Sequence, residues 1–224
     1  MKLKINLPTK ITFARIFLAI LLLIALFVFY FLDYFKVLEM ATFNISINNI
    51  TINYMNIIFL VVFLIASFTD FLDGYLARKN NLVTDLGKFL DPLADKMLIN
   101  GLMVFYALNF PSLMALNNGN TINTVSFPIF IVVIMIIRDL IVDSLRFMAA
   151  SKQRVIAANI YGKVKTVTQM IAITIVMLNG FPFSLFDYNF IPFLHISDIA
   201  CYIAGFFSVL SGIIYVKDNY KVLF

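Results

Sequence analysis

Thr69-Asp70-Phe71-Leu72-Asp73-Gly74-Tyr75-Leu76-Ala77-Arg78, followed after a short polar stretch by Asp91-Pro92-Leu93-Ala94-Asp95-Lys96, puts four carboxylates between two apolar runs. Asp70, Asp73, Gly74, Ala77 and Arg78 stand at i, i+3, i+4, i+7 and i+8, so on a helix they share one face. That face is acidic, then small, then basic, while Phe71, Leu72, Tyr75 and Leu76 fall on the other side. Asp91 and Asp95 are four apart and share a face in the same way, with Pro92 expected in the first turn of the second helix, where a missing N–H costs nothing. The link between the two runs is short, so the two helices are expected to be antiparallel neighbours whose aspartate pairs converge.

Four carboxylates crowded at a membrane boundary need compensation, because an aspartate in the bilayer centre costs about 2.5–3.5 kcal/mol even on lenient insertion scales. Without it, mutual repulsion would neutralise some of them. Two divalent cations balance the charge, and an all-oxygen donor set favours Mg²⁺, Mn²⁺ or Ca²⁺ over zinc. A two-metal site also suits displacement at phosphorus, where both the attacking and leaving oxygens are stabilised. Gly74 and Ala77 on the acidic face leave room for a nucleotide near the helix backbone; close helix packing would use small residues equally well. A purely structural salt-bridge network is the competing account of the aspartates, but Arg78, Lys79, Lys88 and Lys96 are too few to pair them and serve the interface as well.

The surrounding composition explains the setting. The chain of 224 residues is 62% hydrophobic and 13% charged, about half the charged fraction of a soluble domain. No polar linker or internal repeat divides it, so residues 1–224 read as one membrane domain. The single Cys201 and the single His195 exclude a disulfide framework, a Cys-based zinc site and a multi-histidine metal cluster within one chain, and His195 beside Phe193 and Leu194 reads as a packing or loop residue rather than half of a Cys–His pair. Lys2, Lys4 and Lys10 before an apolar run imitate a signal peptide, but the run is long and no small-residue cleavage site follows, so it reads as a retained first span.

Six stretches are long and apolar enough to suggest an all-α integral membrane protein with six transmembrane helices. They are Thr12–Phe31, Asn53–Ala77, Pro92–Asn109, Val125–Ala149, Ile160–Leu178 and Ile196–Val216. Basic residues gather before the first, between the second and third, between the fourth and fifth, and after the sixth. The other three connections hold only Lys36. The positive-inside rule then predicts a multi-pass protein of the cell membrane, with both termini and the aspartates on the cytoplasmic side. The net charge of +5 suits anionic membrane lipids, and no aromatic-and-basic motif points to nucleic acid.

From Asp70 to Asp95 the chain reads D-x2-D-G-x2-A-R-x8-G-x3-D-x3-D, eight positions at fixed spacing. This resembles the signature of the CDP-alcohol phosphatidyltransferase family. The opening Asn6-Leu7-Pro8-Thr9-Lys10-Ile11-Thr12 with Arg15, the run Gly87–Lys96 and the later Gly162-Lys163-Val164-Lys165-Thr166 are similar to bacterial members of it that make phosphatidylglycerophosphate. The resemblance implies a six-helix homodimer with CDP-diacylglycerol as donor and sn-glycerol 3-phosphate as acceptor. It implies metal ligation by Asp70, Asp73 and Asp91, with Asp95 as general base that also touches a metal, and Mg²⁺ or Mn²⁺ as the ions. It places Gly74, Arg78 and Thr84 at the CDP part of the donor. Two positions depart from the pattern: Thr9 stands where a second Asn is common, and Asp139 where Glu is common after Arg138.

The acceptor phosphate needs cations, and the fourth and fifth spans supply them. Arg138 and Arg146 are eight apart, about two turns on one face. Lys163 and Lys165 open the fifth span. Charges inside spans face cavities or partners, so these four are expected at the acceptor phosphate. Pairing of the arginines with Asp139 and Asp143, and an anchoring role for Lys163, are the alternatives. Another acceptor, such as inositol phosphate, is compatible with the same residues. A divalent-cation transporter is the reading from another class, but its sites lie at the midplane of broken helices rather than at helix ends.

Overall fold

The computed structural model describes residues 7–35, 44–47, 50–79, 85–108, 116–117, 120–121, 125–152, 160–183 and 196–220, with backbone alone at 70–79, 85–89 and 91 among others. Six long α-helices run through them: α1 Leu7–Tyr34, α2 Tyr54–Lys79, α3 Asp85–Ala107, α4 Ile129–Ser151, α5 Ile160–Met177 and α6 Ile196–Asn219. Every apolar run read from the sequence is one of these helices. Two small antiparallel hairpins were not expected. Strands β1 (Asn44–Ile47) and β2 (Ile50–Asn53) pair after α1, and β3 (Leu116–Asn117) pairs with β4 (Asn120–Thr121) after α3.

Helix α3 also differs from expectation. It begins at Asp85, so Pro92 lies inside it rather than in its first turn. A proline there has no N–H for the carbonyl of Lys88 and crowds it. The helix continues through this defect, and both Asp91 and Asp95 sit on one uninterrupted element.

The chain forms two compact units, one of residues 1–47, 51–102 and 110–122, the other of 48–50, 103–109 and 123–224. In the first, α1 packs on α2. Ala19, Leu22 and Leu26 of α1 and Phe59, Phe63 and Ala66 of α2 are buried, and Phe29 meets Phe59 edge-on at 5.7 Å between centroids. Gly101 of α3 lets the side chain of Leu23 come so close that a Cβ would stand 2.8 Å from its Cδ1. Asn53 caps α2: its Oδ1 accepts from the N–H of Met55 at 2.8 Å.

In the second unit, α4 and α5 both pack against α6. The buried positions of α4 (Ile131, Val132, Met135, Asp139, Val142, Leu145, Ala149) follow the helical period. Helix α5 ends at Met177 in a Schellman turn, with Gly180 N–H donating to Ile175 O and Asn179 N–H to Val176 O. Asn179 takes the left-handed position at φ 52°, and its Oδ1 accepts from Val125 N–H at 3.0 Å, tying the approach to α4 to the end of α5.

Polarity is inverted relative to a soluble protein. Asp139, Lys165 and Gln169 are buried, whereas Phe17, Leu140, Phe206 and Ile213 are each more than 60% exposed. An apolar solvent accounts for both facts. Among the described residues, the stretches Lys10–Leu32 and Asp198–Asn219 are long and apolar enough to cross a bilayer; Tyr54–Thr69 is apolar but shorter. Helix α4 carries Arg138, Asp139, Asp143 and Arg146 along its length, and α5 is 18 residues with Lys163 and Lys165.

Candidate active site

The acidic signature occupies the last turns of α2 and the first half of α3. Because α2 is continuous to Lys79, Asp70, Asp73, Gly74, Ala77 and Arg78 do take the helical register that puts them on one face. Just before them, Thr69 turns its hydroxyl back to Ala66 O at 2.7 Å, so it does not compete for a ligand on that face. The side chains of Asp70, Asp73, Gly74, Arg78 and Asp91 lie outside the described residues, and so does Thr84 with the whole α2–α3 connection. The expected antiparallel pairing of these helices rests on that connection. No three metal-ligating side chains converge among the described residues. The donor set is nonetheless chemically uniform, four carboxylates with no sulfur or imidazole, which fits a hard divalent cation.

Asp95 is the one carboxylate of the four whose side chain is described. Its Oδ1 lies 3.3 Å from Nη1 of Arg15 on α1. The pair is asymmetric: the arginine side chain is 1% exposed and the aspartate 42%. A buried guanidinium therefore holds a carboxylate that still faces out, which keeps that carboxylate oriented. Sequence reading had treated Arg15 only as a basic flank and a matching position. Its partnership with Asp95 comes from the packing of α1, which no spacing rule reports.

The cations expected for an acceptor phosphate fall into two groups. Arg138 and Lys165 converge on Asp139. Lys165 Nζ donates to both carboxylate oxygens, at 2.6 and 2.8 Å. Arg138 Nη1 donates to Oδ1 at 2.9 Å, and its Nη2 donates to Ser211 Oγ on α6 at 2.7 Å. Gly212 makes room for this arginine: a Cβ there would come within 2.7 Å of Arg138 Cγ. Asp139 thus links α4, α5 and, through Arg138, α6. For Arg138 the alternative of pairing with Asp139 is what the structure shows.

Arg146 and Lys163 are exposed. Arg146 does share a face with Arg138, since both reach α6. Its Nε donates to Tyr215 Oη at 3.2 Å and its Cζ stands 5.5 Å from the centre of the Tyr215 ring. Pairing of Arg138 with Asp139 was the stated alternative; Lys165 as a second partner of Asp139 and Tyr215 as an arginine partner went unread in the sequence. The only available signal for Asp139 was its position next to Arg138 and its shorter length than the usual Glu.

The sequence as a whole matches the model of CDP-alcohol phosphatidyltransferases over residues 5–210. The chain belongs to the CDP-alcohol phosphatidyltransferase family. Among its relatives is a Bacillus subtilis (strain 168) protein named CDP-diacylglycerol–glycerol-3-phosphate 3-phosphatidyltransferase, 35% identical over 224 residues, with 97% of each chain covered. A Mycoplasma pneumoniae protein of the same name is 36% identical, over 97% of this chain and 89% of its own. A rice (Oryza sativa subsp. japonica) protein named cardiolipin synthase (CMP-forming) is 38% identical over 120 residues, 52% of this chain and 35% of its own. Members of this family share membrane association with the inverted polarity seen here.

Proposed function

We propose that the chain transfers the phosphatidyl group of CDP-diacylglycerol to sn-glycerol 3-phosphate, giving phosphatidylglycerophosphate and CMP. The observation that carries this is similarity along nearly the whole chain to proteins named for that reaction, with the eight-position acidic signature unbroken. In the reaction the acceptor hydroxyl oxygen bonds to the phosphatidyl phosphorus, the bond from that phosphorus to the CMP oxygen breaks, and the hydroxyl proton passes to a base.

Asp95 is the base in this reading. Arg15 supports it by fixing the carboxylate from the buried side while the aspartate side chain remains 42% exposed. Asp70, Asp73 and Asp91, with Asp95, would hold Mg²⁺ or Mn²⁺, in two ions. Bound there, the metal neutralises the diphosphate and the departing phosphate. Gly74, Arg78 and Thr84 bind the CDP part. Arg146 and Lys163, both exposed, take the acceptor phosphate; Arg138 and Lys165 contribute behind them, sharing their charge with Asp139. The direct route is preferred because the single Cys and the single His stand about 100 residues from the acidic signature in sequence.

The six helices are read as six spans, with both termini and the acidic ends cytoplasmic, supported by the alternation of basic connections. Residues 1–224 act as one catalytic membrane domain, supported by the extent of the family match. A homodimer is the expected assembly on the family resemblance.

The test is CMP release by purified protein in detergent with CDP-diacylglycerol, glycerol 3-phosphate and Mg²⁺ or Mn²⁺. Release should need both acceptor and metal, stop on chelation, and fall at least about 100-fold in Asp95→Asn. The partial likeness to a cardiolipin synthase makes phosphatidylglycerol the informative second acceptor, with inositol phosphate beside it. Release with one of these and none with glycerol 3-phosphate would retain the chemistry and replace the acceptor.

A further inference from the structure

Arg146 differs from the other cations of the second unit in how it is held. Arg138 and Lys165 both already contact Asp139. Arg146 is exposed, and among the described residues its polar contact is Tyr215. That contact uses Nε, so both terminal nitrogens of the guanidinium remain for a ligand. Tyr215 is 3% exposed, packed with Val142, Leu145 and Val216. A buried, immobile phenol thus grips a long side chain that solvent would otherwise leave free.

An unrestrained arginine carries about 2 kcal/mol of rotamer entropy. Fixing it before the ligand arrives removes part of that cost from binding. The grip has two components, a hydrogen bond to Oη and a face-on contact with the ring. Both act on Nε and the guanidinium plane, leaving the two-nitrogen edge in a fixed direction. That edge is the geometry that binds a phosphate bidentately.

We infer that Tyr215 is a positioning residue for the acceptor: it presents the terminal edge of Arg146 to the acceptor's phosphate and so sets the preference for a phosphorylated alcohol. This rests on the acceptor reading above. Tyr215 itself touches no reacting atom.

The test is steady-state CMP release with glycerol 3-phosphate and CDP-diacylglycerol varied separately, for the wild type, Tyr215→Phe, Arg146→Ala and the double variant. Tyr215→Phe keeps the ring and the packing and removes only the hydroxyl. It should raise the KM for glycerol 3-phosphate about tenfold to 150-fold, the range of one hydrogen bond to a charged group, and leave the donor KM unchanged. Arg146→Ala should raise it further, and adding Tyr215→Phe to Arg146→Ala should change nothing more. An unchanged acceptor KM in Tyr215→Phe, an equal rise in both KM values, or additive effects in the double variant would overturn the inference while leaving the acceptor reading intact. A wild type that releases CMP only with unphosphorylated alcohols would overturn both.

Discussion

Arg15 and Asp139 are single side chains on which opposite charges depend. Arg15 is buried beneath a half-exposed Asp95. Removing the cation takes away a contact that orients the carboxylate, so Arg15→Ala should lower kcat at fixed saturating substrates by about 10-fold to 100-fold, and Arg15→Lys should recover part of it. A kcat equal to wild type in Arg15→Ala would remove Arg15 from the site. Asp139 serves two cations, one of them Lys165 at 7% exposure. Asp139→Leu strands a buried ammonium, a loss of about 3–5 kcal/mol. Adding Lys165→Met removes the stranded charge and should restore most of the thermal stability measured in detergent. If the double variant is no more stable than the single one, the stability lies elsewhere than in this pair. The same substitutions separate architecture from binding, because a stable double variant reports what Lys165 does for the acceptor KM.

At the scale of the element, helix positions were legible because a spanning helix is a local property. About 20 apolar residues with no broken backbone pairing can only be helical in lipid. The exception is instructive: Pro92 was expected to start α3, and instead the helix runs seven residues further back, to Asp85. Proline at N1 is a preference, and a continuous polar turn of helix before it satisfies enough backbone groups to override that preference. The end of α5 was not readable in detail, since Asn179 and Gly180 both take positive φ and the first of the two is not a glycine. Asn179→Ala should cost about 1–2 kcal/mol from the left-handed backbone alone, and more with the loss of the bond to Val125. Asn179→Gly relieves the backbone and loses only that bond. Thermal unfolding should therefore rank wild type, then Gly, then Ala; an Ala variant as stable as the Gly variant would contradict the role of the turn.

Across the whole molecule, the inverted distribution of polarity means that burying apolar surface cannot hold the helices together in lipid. Close contacts do so instead, at Gly101 on Leu23, Gly205 on Ile131 and Gly212 on Arg138, together with the charges around Asp139. The orientation read from the basic connections is testable because Cys201 is the only cysteine. In a Cys201→Ser background, single cysteines at Lys152 and Asn117 should label from opposite sides of sealed membranes, Lys152 from the cytoplasmic side. Labelling of both from one side would refute the six-span arrangement.

The sequence by itself determined the family, the six helices and the register of the acidic face. These depend on residue spacing along a single element and on the solvent each stretch requires, and both are written in consecutive residues. Only the tertiary structure decided which partner each charge takes. Arg15 meets Asp95 across about 80 residues of chain. Asp139 holds Arg138 and Lys165. Tyr215 holds Arg146. A long flexible cation can reach several anions from one backbone position, and the packing of neighbouring helices selects among them.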